Sequence, residues 1–336
     1  MTKVAINGMG RIGRATLKII MNNDELQLVA VNDIVPIDDM VYMLRYDSVY
    51  GRYEKNVEAA GNNLNIGGRE IRYLSEKDPA SLPWKDLRVD LVFECSGLFT
   101  RKEDLEKHLK AGAGKVILSA PAKSDDVATV VGGVNEVDPA ARVISTASCT
   151  TTCIAPVMEI MSRRFGVKKA MMTTVHAYTS SQGIVDGHNK KLRRGRAAAI
   201  NLVPTTTGAA KAAIKVLPKL KDKFDGMAIR GPVPAGSISD ITIVTGKRTT
   251  AEEINNAFID EANSGRYRKI VGFSDEELVS SDIIKDTRAA IVDGTSTQVV
   301  DGDLVKILAW YDNEWGYASQ MVKEGVRISA LQSKSV

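Results

Sequence analysis

The chain has 336 residues, 44% hydrophobic and 26% charged, which excludes a disordered or fibrous polypeptide and suits about two domains at roughly 150 residues each. Its 45 basic residues face 41 acidic ones, an excess too diffuse to make nucleic acid a primary partner. No apolar run reaches the ~18 residues of a membrane span, no secretory leader opens the chain, and Cys95, Cys149 and Cys153 form neither a disulfide framework nor a zinc spacing. A cytoplasmic protein with no metal is expected.

The first predicted strand, Val4 to Asn7, runs into Gly8-Met9-Gly10-Arg11-Ile12-Gly13 and a helix from Arg11 to Met21. This strand, glycine turn and helix form a dinucleotide fingerprint. Its glycines allow a tight turn and close approach of pyrophosphate to free amides at the helix start. The next strand, Leu26 to Asn32, ends at Asp33, placed to accept ribose hydroxyls and to repel a 2′-phosphate. Glycine turns between Tyr53 and Tyr73 predict inserted hairpins. Strands from Asp90 to Cys95 and Lys115 to Ser119 flank a helix from Lys102 to Lys110. This half reads as a doubly wound parallel sheet. Cys95 is expected to pack near the cofactor and His108 to lie on a solvated helix face.

The pattern changes after Ser148. Cys149 and Cys153 open a predicted helix from Cys149 to Phe165, whose N-terminal amides are expected to lower the Cys149 pKa and favour the thiolate. Cys153, one turn deeper, reads as core packing. His176 ends a strand from Ala170 to Ala177 and has the chemistry to take a thiol proton. A long polar segment from Thr179 to Pro204 carries the basic run Lys190 to Arg196 and predicts a functional or interface loop. Strands from Met227 to Arg230, Ile238 to Thr245 and Leu304 to Tyr311, with a helix from Ala251 to Ala262, predict a mainly antiparallel sheet covered by helices. Trp310 and Trp315 read as core.

Five blocks in order carry a resemblance: Ser148 to Thr151, His176 to Thr179, Leu192-Arg193-Arg194, Pro204 to Lys211 and Trp310 to Tyr317. With them the whole chain resembles the phosphorylating glyceraldehyde-3-phosphate dehydrogenases. The resemblance implies an α/β fold, a Rossmann-type NAD-binding domain (residues 1–148 plus 314–336) and an α+β catalytic domain (residues 149–313). It implies catalysis by Cys149 and His176 through a thioester. Substrate and inorganic phosphate fall to Ser148, Thr150, Thr179, Arg194, Thr207, Gly208 and Arg230. The cofactor set it implies is Gly8, Gly10, Arg11, Ile12, Gly13, Asp33, Lys77, Ser119, Asn313 and Tyr317.

A homotetramer is implied as well, with the Thr179 to Pro204 loop meeting a neighbour. Thr152, Ser180-Ser181 and Gly231 depart from the family pattern, which has asparagine, asparagine-aspartate and valine. Gly187-His188 stands where strict NAD users carry leucine-proline, so NADP is expected as a secondary cofactor. Two rivals are an erythrose-4-phosphate dehydrogenase and a cofactor-binding or nucleic-acid-binding moonlighting protein without catalysis.

Overall fold

A computed structural model describes residues 1–332 and divides the chain into two units. The first comprises Met1–Val130, Val137–Ala147 and the chain from Met321 onward. Its strands are β1 (Thr2–Asn7), β2 (Leu26–Asn32), β3 (Val57–Ala60), β4 (Asn63–Ile66), β5 (Arg69–Leu74), β6 (Leu91–Glu94), β7 (Lys115–Leu118), β8 (Ala128–Thr129) and β9 (Val143–Ser145). Four helices accompany them: α1 (Arg11–Ile20), α2 (Ile37–Arg45), α3 (Trp84–Leu87) and α4 (Lys102–Lys110).

The strands form one sheet in the order β3-β4-β5-β2-β1-β6-β7-β9-β8. Every residue of β6 and β7 is buried, as expected of parallel strands covered on both faces. Only the β3-β4-β5 meander is antiparallel, the predicted hairpin insertion. β1 lies where strand order reverses, with β2 on one side and β6 on the other. Asn7, Asn32 and Glu94 therefore sit side by side at the carboxyl ends, the place where open α/β sheets bind ligands.

The second unit comprises Val131–Glu136 and Ser148–Gln320. In chain order its elements are α5 (Cys149–Arg164), β10 (Val167–Ala177), β11 (Val203–Thr206), α6 (Ala209–Val216), β12 (Phe224–Gly231) and β13 (Ser237–Thr245). They continue with α7 (Ala251–Asn263), β14 (Val271–Ser274), β15 (Ala290–Val300), β16 (Leu304–Tyr311) and the first residues of α8 (Trp315–Gln332), which belongs to the first unit from Met321 onward. The sheet order is β11-β12-β10-β13-β16-β15-β14, and only the β10–β12 and β14–β15 pairs are parallel. α5 is buried on all sides from Thr150 to Met161, so it has no polar stripe and is a core helix. Thr250 and Glu253 close a capping box at α7.

One expectation differs from the structure, and one long strand goes unpredicted. β15 escapes an alternation reading because its middle is Asp293-Gly294-Thr295-Ser296-Thr297-Gln298; Gly294 is required there because a side chain would collide with the Phe273 ring. His108 is not solvated. It is fully buried, with Nδ1 accepting from Trp84 Nε1 at 3.0 Å and Nε2 3.0 Å from Glu94 Oε2.

Candidate active site

In the first unit, a cavity of about 470 Å³ opens at the strand ends and is lined by residues including Asn7, Gly8, Gly10, Asn32, Asp33, Lys77 and Cys95. Gly8 has φ +90°, and a side chain there would collide with the Ser96 backbone; one on Gly13 would strike the Gly8 carbonyl. Gly10 faces open space and caps α1 without a side-chain bond, at a helix start of the kind that favours phosphate. Asp33 accepts from the Met9 amide through Oδ2 at 2.6 Å and from Val35 through Oδ1 at 3.0 Å, which ties the glycine turn to β2.

The remaining predicted cofactor residues divide. Ile12 packs against the core and Lys77 is exposed at the cavity. The Arg11 guanidinium bonds Asp47 at 2.5 Å and lies over the Tyr50 ring. Ser119 follows β7, donates its amide to Glu94 O and hydrogen-bonds Cys95. Cys95 is buried, and that burial pushes its thiol up to about 12, which marks it as unreactive packing. The fit to a dinucleotide rests on the glycine cradle, which added side chains would fill, and on the aimed Asp33 carboxylate.

In the second unit, Ser148 caps α5 by accepting from the Thr151 amide at 3.2 Å, which sets Cys149 at the first helical position. Cys149 Sγ lies 3.3 Å from His176 Nε2. His176 ends β10; its Nδ1 sits 2.7 Å from Ala177 O and 2.7 Å from Arg230 Nη1, which also donates to Ala177 O at 2.9 Å. Nδ1 either donates to Ala177 O or accepts from Arg230 Nη1; in the tautomer that donates to Ala177 O, Arg230 is held by that carbonyl and Nε2 turns its lone pair to the thiol. The parallel register of β10 with β12 pairs His176 with Arg230 directly. Burial, then the Arg230 charge, pulls the imidazole down to about 3, so it stands neutral as a base.

The thiol departs from expectation. Burial pushes Cys149 up, and that outweighs the lowering by Arg230 and by bonds from Thr150. Helix-start amides alone do not make a thiolate here. Cys153 is fully buried, and burial pushes its thiol up as well.

Arg230 and Arg194 act on this pair, and the other predicted anion binders lie in the same unit. Arg194 bonds Thr205 Oγ1 at 3.0 Å and Thr206 O at 3.3 Å, and its charge acts on both His176 and Arg230. Arg230 Nε is buried without a partner, an orphaned donor that an incoming oxyanion would satisfy. Thr207 accepts from the Ala209 amide at 3.1 Å, and Gly208 opens α6 facing empty space. Thr179 shares a hydrogen bond with Ser181 at 2.9 Å. The Thr150 hydroxyl is not free: it meets buried Tyr311 Oη at 2.9 Å, and that oxygen also meets Thr174 at 2.8 Å. Asn313 is buried, its Oδ1 accepting from Ser237 at 3.0 Å, and Tyr317 is buried nearby in sequence on α8.

Tyr311 and Thr174 escaped sequence reasoning as site residues. Tyr311 packs its ring edge-on against His176 at 5.9 Å, and its position in the Trp310 to Tyr317 block was the available signal. Among the departures, Thr152 is buried in α5, Ser180 is exposed, and a Cβ on Gly231 would make only ordinary contact with Val175.

Two family models match the chain: "Glyceraldehyde 3-phosphate dehydrogenase, NAD binding domain" over residues 2–102 and "Glyceraldehyde 3-phosphate dehydrogenase, C-terminal domain" over residues 148–313. The chain is 48% identical to the glyceraldehyde-3-phosphate dehydrogenase of Geobacillus stearothermophilus over 95% of its own length and 96% of the relative's. It is 49% identical to that of Thermotoga maritima, covering 96% and 97%, and 46% identical to that of Streptomyces coelicolor, covering 95% and 96%.

Proposed function

The chain belongs to the glyceraldehyde-3-phosphate dehydrogenase family, and from that premise we propose that it oxidises D-glyceraldehyde 3-phosphate, with inorganic phosphate, to 1,3-bisphosphoglycerate. His176 Nε2 takes the Cys149 proton, and the sulfur attacks the aldehyde carbon to form a hemithioacetal. Bound NAD supplies the acceptor for the hydride that leaves this carbon, which becomes a thioester on Cys149. Phosphate oxygen then attacks the thioester, the carbon–sulfur bond breaks, and the Cys149 thiolate is restored. Arg230 and Arg194 meet phosphate oxygens with permanent charge and fixed donors, assisted by Thr179. Ser148, the Thr150 amide, Thr207 and Gly208 receive the attacking phosphate, and Asn313 and Tyr317 hold the nicotinamide.

The observation that carries this reading is the Sγ–Nε2 approach of 3.3 Å beside an arginine whose buried Nε has no partner. The test is formation of reduced nicotinamide from the aldehyde with and without inorganic phosphate. Acyl phosphate is expected only with phosphate. A free acid formed at the same rate without it would overturn the phosphorylating step.

The reading extends to a domain division at residues 1–148 plus 314–336 and 149–313, to a cytoplasmic setting, and to a homotetramer. Exposed Ile184, Val185, Leu192, Ile200 and Leu202 in the long loop, with Met171 and Met227 on the sheet, support the assembly. NAD is the main cofactor, with NADP secondary through the small and polar Gly187-His188.

A further inference from the structure

Glu94 is fully buried among the apolar residues of β6, and its carboxylate is the centre of a set of directed hydrogen bonds. Every polar contact of its carboxylate has a fixed direction. Trp84 Nε1–H can only donate, so His108 Nδ1 accepts, and Nε2 carries the proton donated to Glu94 Oε2. Asn7 Nδ2 donates to the same oxygen at 2.6 Å. The amide and hydroxyl of Ser96 donate to Oε1 at 2.8 and 2.5 Å. With Asn7 so oriented, its Oδ1 accepts from Asn32 Nδ2 at 2.7 Å. Asn32 in turn bonds both the amide and the carbonyl of Glu76, each at 2.8 Å.

One hydrogen-bonded chain therefore runs from α3 and α4 across the carboxyl ends of β6, β1 and β2 to the segment after β5. Asn7, Asn32, Glu76 and Ser96 line the cavity; Trp84, His108 and Glu94 do not. Burying a carboxylate is unfavourable, and an apolar side chain would join β6 to β1 as well. Only an acceptor can hold the Asn7 amide and the Ser96 donors in one orientation.

We propose that Glu94 and His108 are positioning residues for the dinucleotide site, acting through Asn7 and Ser96. This rests on the dinucleotide reading above. In the full chain, His108→Leu leaves Glu94 short of a donor and Trp84 short of an acceptor, whereas His108→Gln keeps an acceptor and a donor. NAD affinity is read by calorimetry, and KM for NAD and for the aldehyde by steady-state kinetics. Loss of one buried partner predicts an NAD Kd and KM about ten-fold higher in His108→Leu, with the aldehyde KM and cofactor-free alkylation of Cys149 within about two-fold. His108→Gln is expected to recover most of that loss. Trp84→Phe, which deletes only the indole donor to His108, is expected to raise the NAD Kd about two- to five-fold. An unchanged NAD Kd in folded His108→Leu or, if that variant does not fold, in Trp84→Phe overturns the proposal. So does an equal rise in both KM values, or a glutamine variant no better than leucine. Failure of the parent chain to bind NAD would instead sink the dinucleotide reading.

Discussion

Replacing Arg230 by leucine separates two tasks of one guanidinium. Its Nη1 is 2.7 Å from His176 Nδ1 and 2.9 Å from Ala177 O, while its Nε is buried and unpaired. The groups whose charges act on it are Arg194, Cys149 and Tyr311. A hydrogen bond to a charged group contributes about 1.5–3 kcal/mol net, so losing one to substrate phosphate predicts kcat/KM about 10- to 150-fold lower for glyceraldehyde 3-phosphate. Unphosphorylated glyceraldehyde lacks that bond, and its smaller loss reports only the effect on the Cys149–His176 pair. The Arg230 charge favours the Cys149 thiolate, so its removal pushes the thiol higher and slows iodoacetamide alkylation near neutral pH. Arg230→Lys restores charge without the planar fork and is expected to recover alkylation more than phosphate discrimination. The assay is kcat/KM for both aldehydes across parent, leucine and lysine chains. An unchanged ratio between the two aldehydes in Arg230→Leu would refute phosphate recognition by this residue.

Three further outcomes follow from the same geometry. His176 is depressed to about 3, chiefly by burial, while an unfolded histidine titrates near ~6.5. The unfolded chain thus binds more protons between these values, and the contribution to stability present above ~6.5 is lost as pH falls toward ~3. Urea midpoints of His176→Asn should vary less over that range, and equal slopes would contradict the assignment. Asp33→Ala removes a negative charge and the Oδ2 acceptor of the Met9 amide, so the NADP-to-NAD ratio of kcat/KM should rise while NAD efficiency falls; an unchanged ratio would acquit Asp33. Tyr311→Phe takes from the buried Thr150 hydroxyl its 2.9 Å partner, whereas Thr174 keeps Ile238 O at 3.3 Å. Destabilisation of about 1–3 kcal/mol in urea unfolding is expected, and a change below about 0.5 kcal/mol, typical of surface sites, would show the relay to be unimportant.

Local chemistry made several features legible in the sequence. Gly8, Gly13 and Asp33 lie within one strand-turn-helix-strand unit, where chain connectivity brings fingerprint and acidic residue together. The strand calculus of alternation placed β10, β13 and β16, because each buries one side of its pleat. The place of Cys149 at a helix start was readable from Ser148 and the apolar run after it. The β15 strand was hidden by its polar centre, whose pairing comes from β16 and not from its own pattern.

Tertiary structure alone decided the rest. No spacing in the chain predicts that His176 Nε2 meets Cys149, because that contact depends on where β10 lies beside the start of α5. The parallel pairing of β10 and β12 sets Arg230 against His176, and this charge and burial hold the imidazole neutral. The same burial pushes the Cys149 thiol up where its helix position suggested the reverse. His108 sits on a helix rich in charge, and only Trp84 and Glu94, brought from other elements, turn it inward. Sequence by itself determined which groups were available and which segments became strands or helices, since those depend on residues a few positions apart. Their protonation and partners depend on desolvation and on charges far along the chain, which exist only once the sheets have formed.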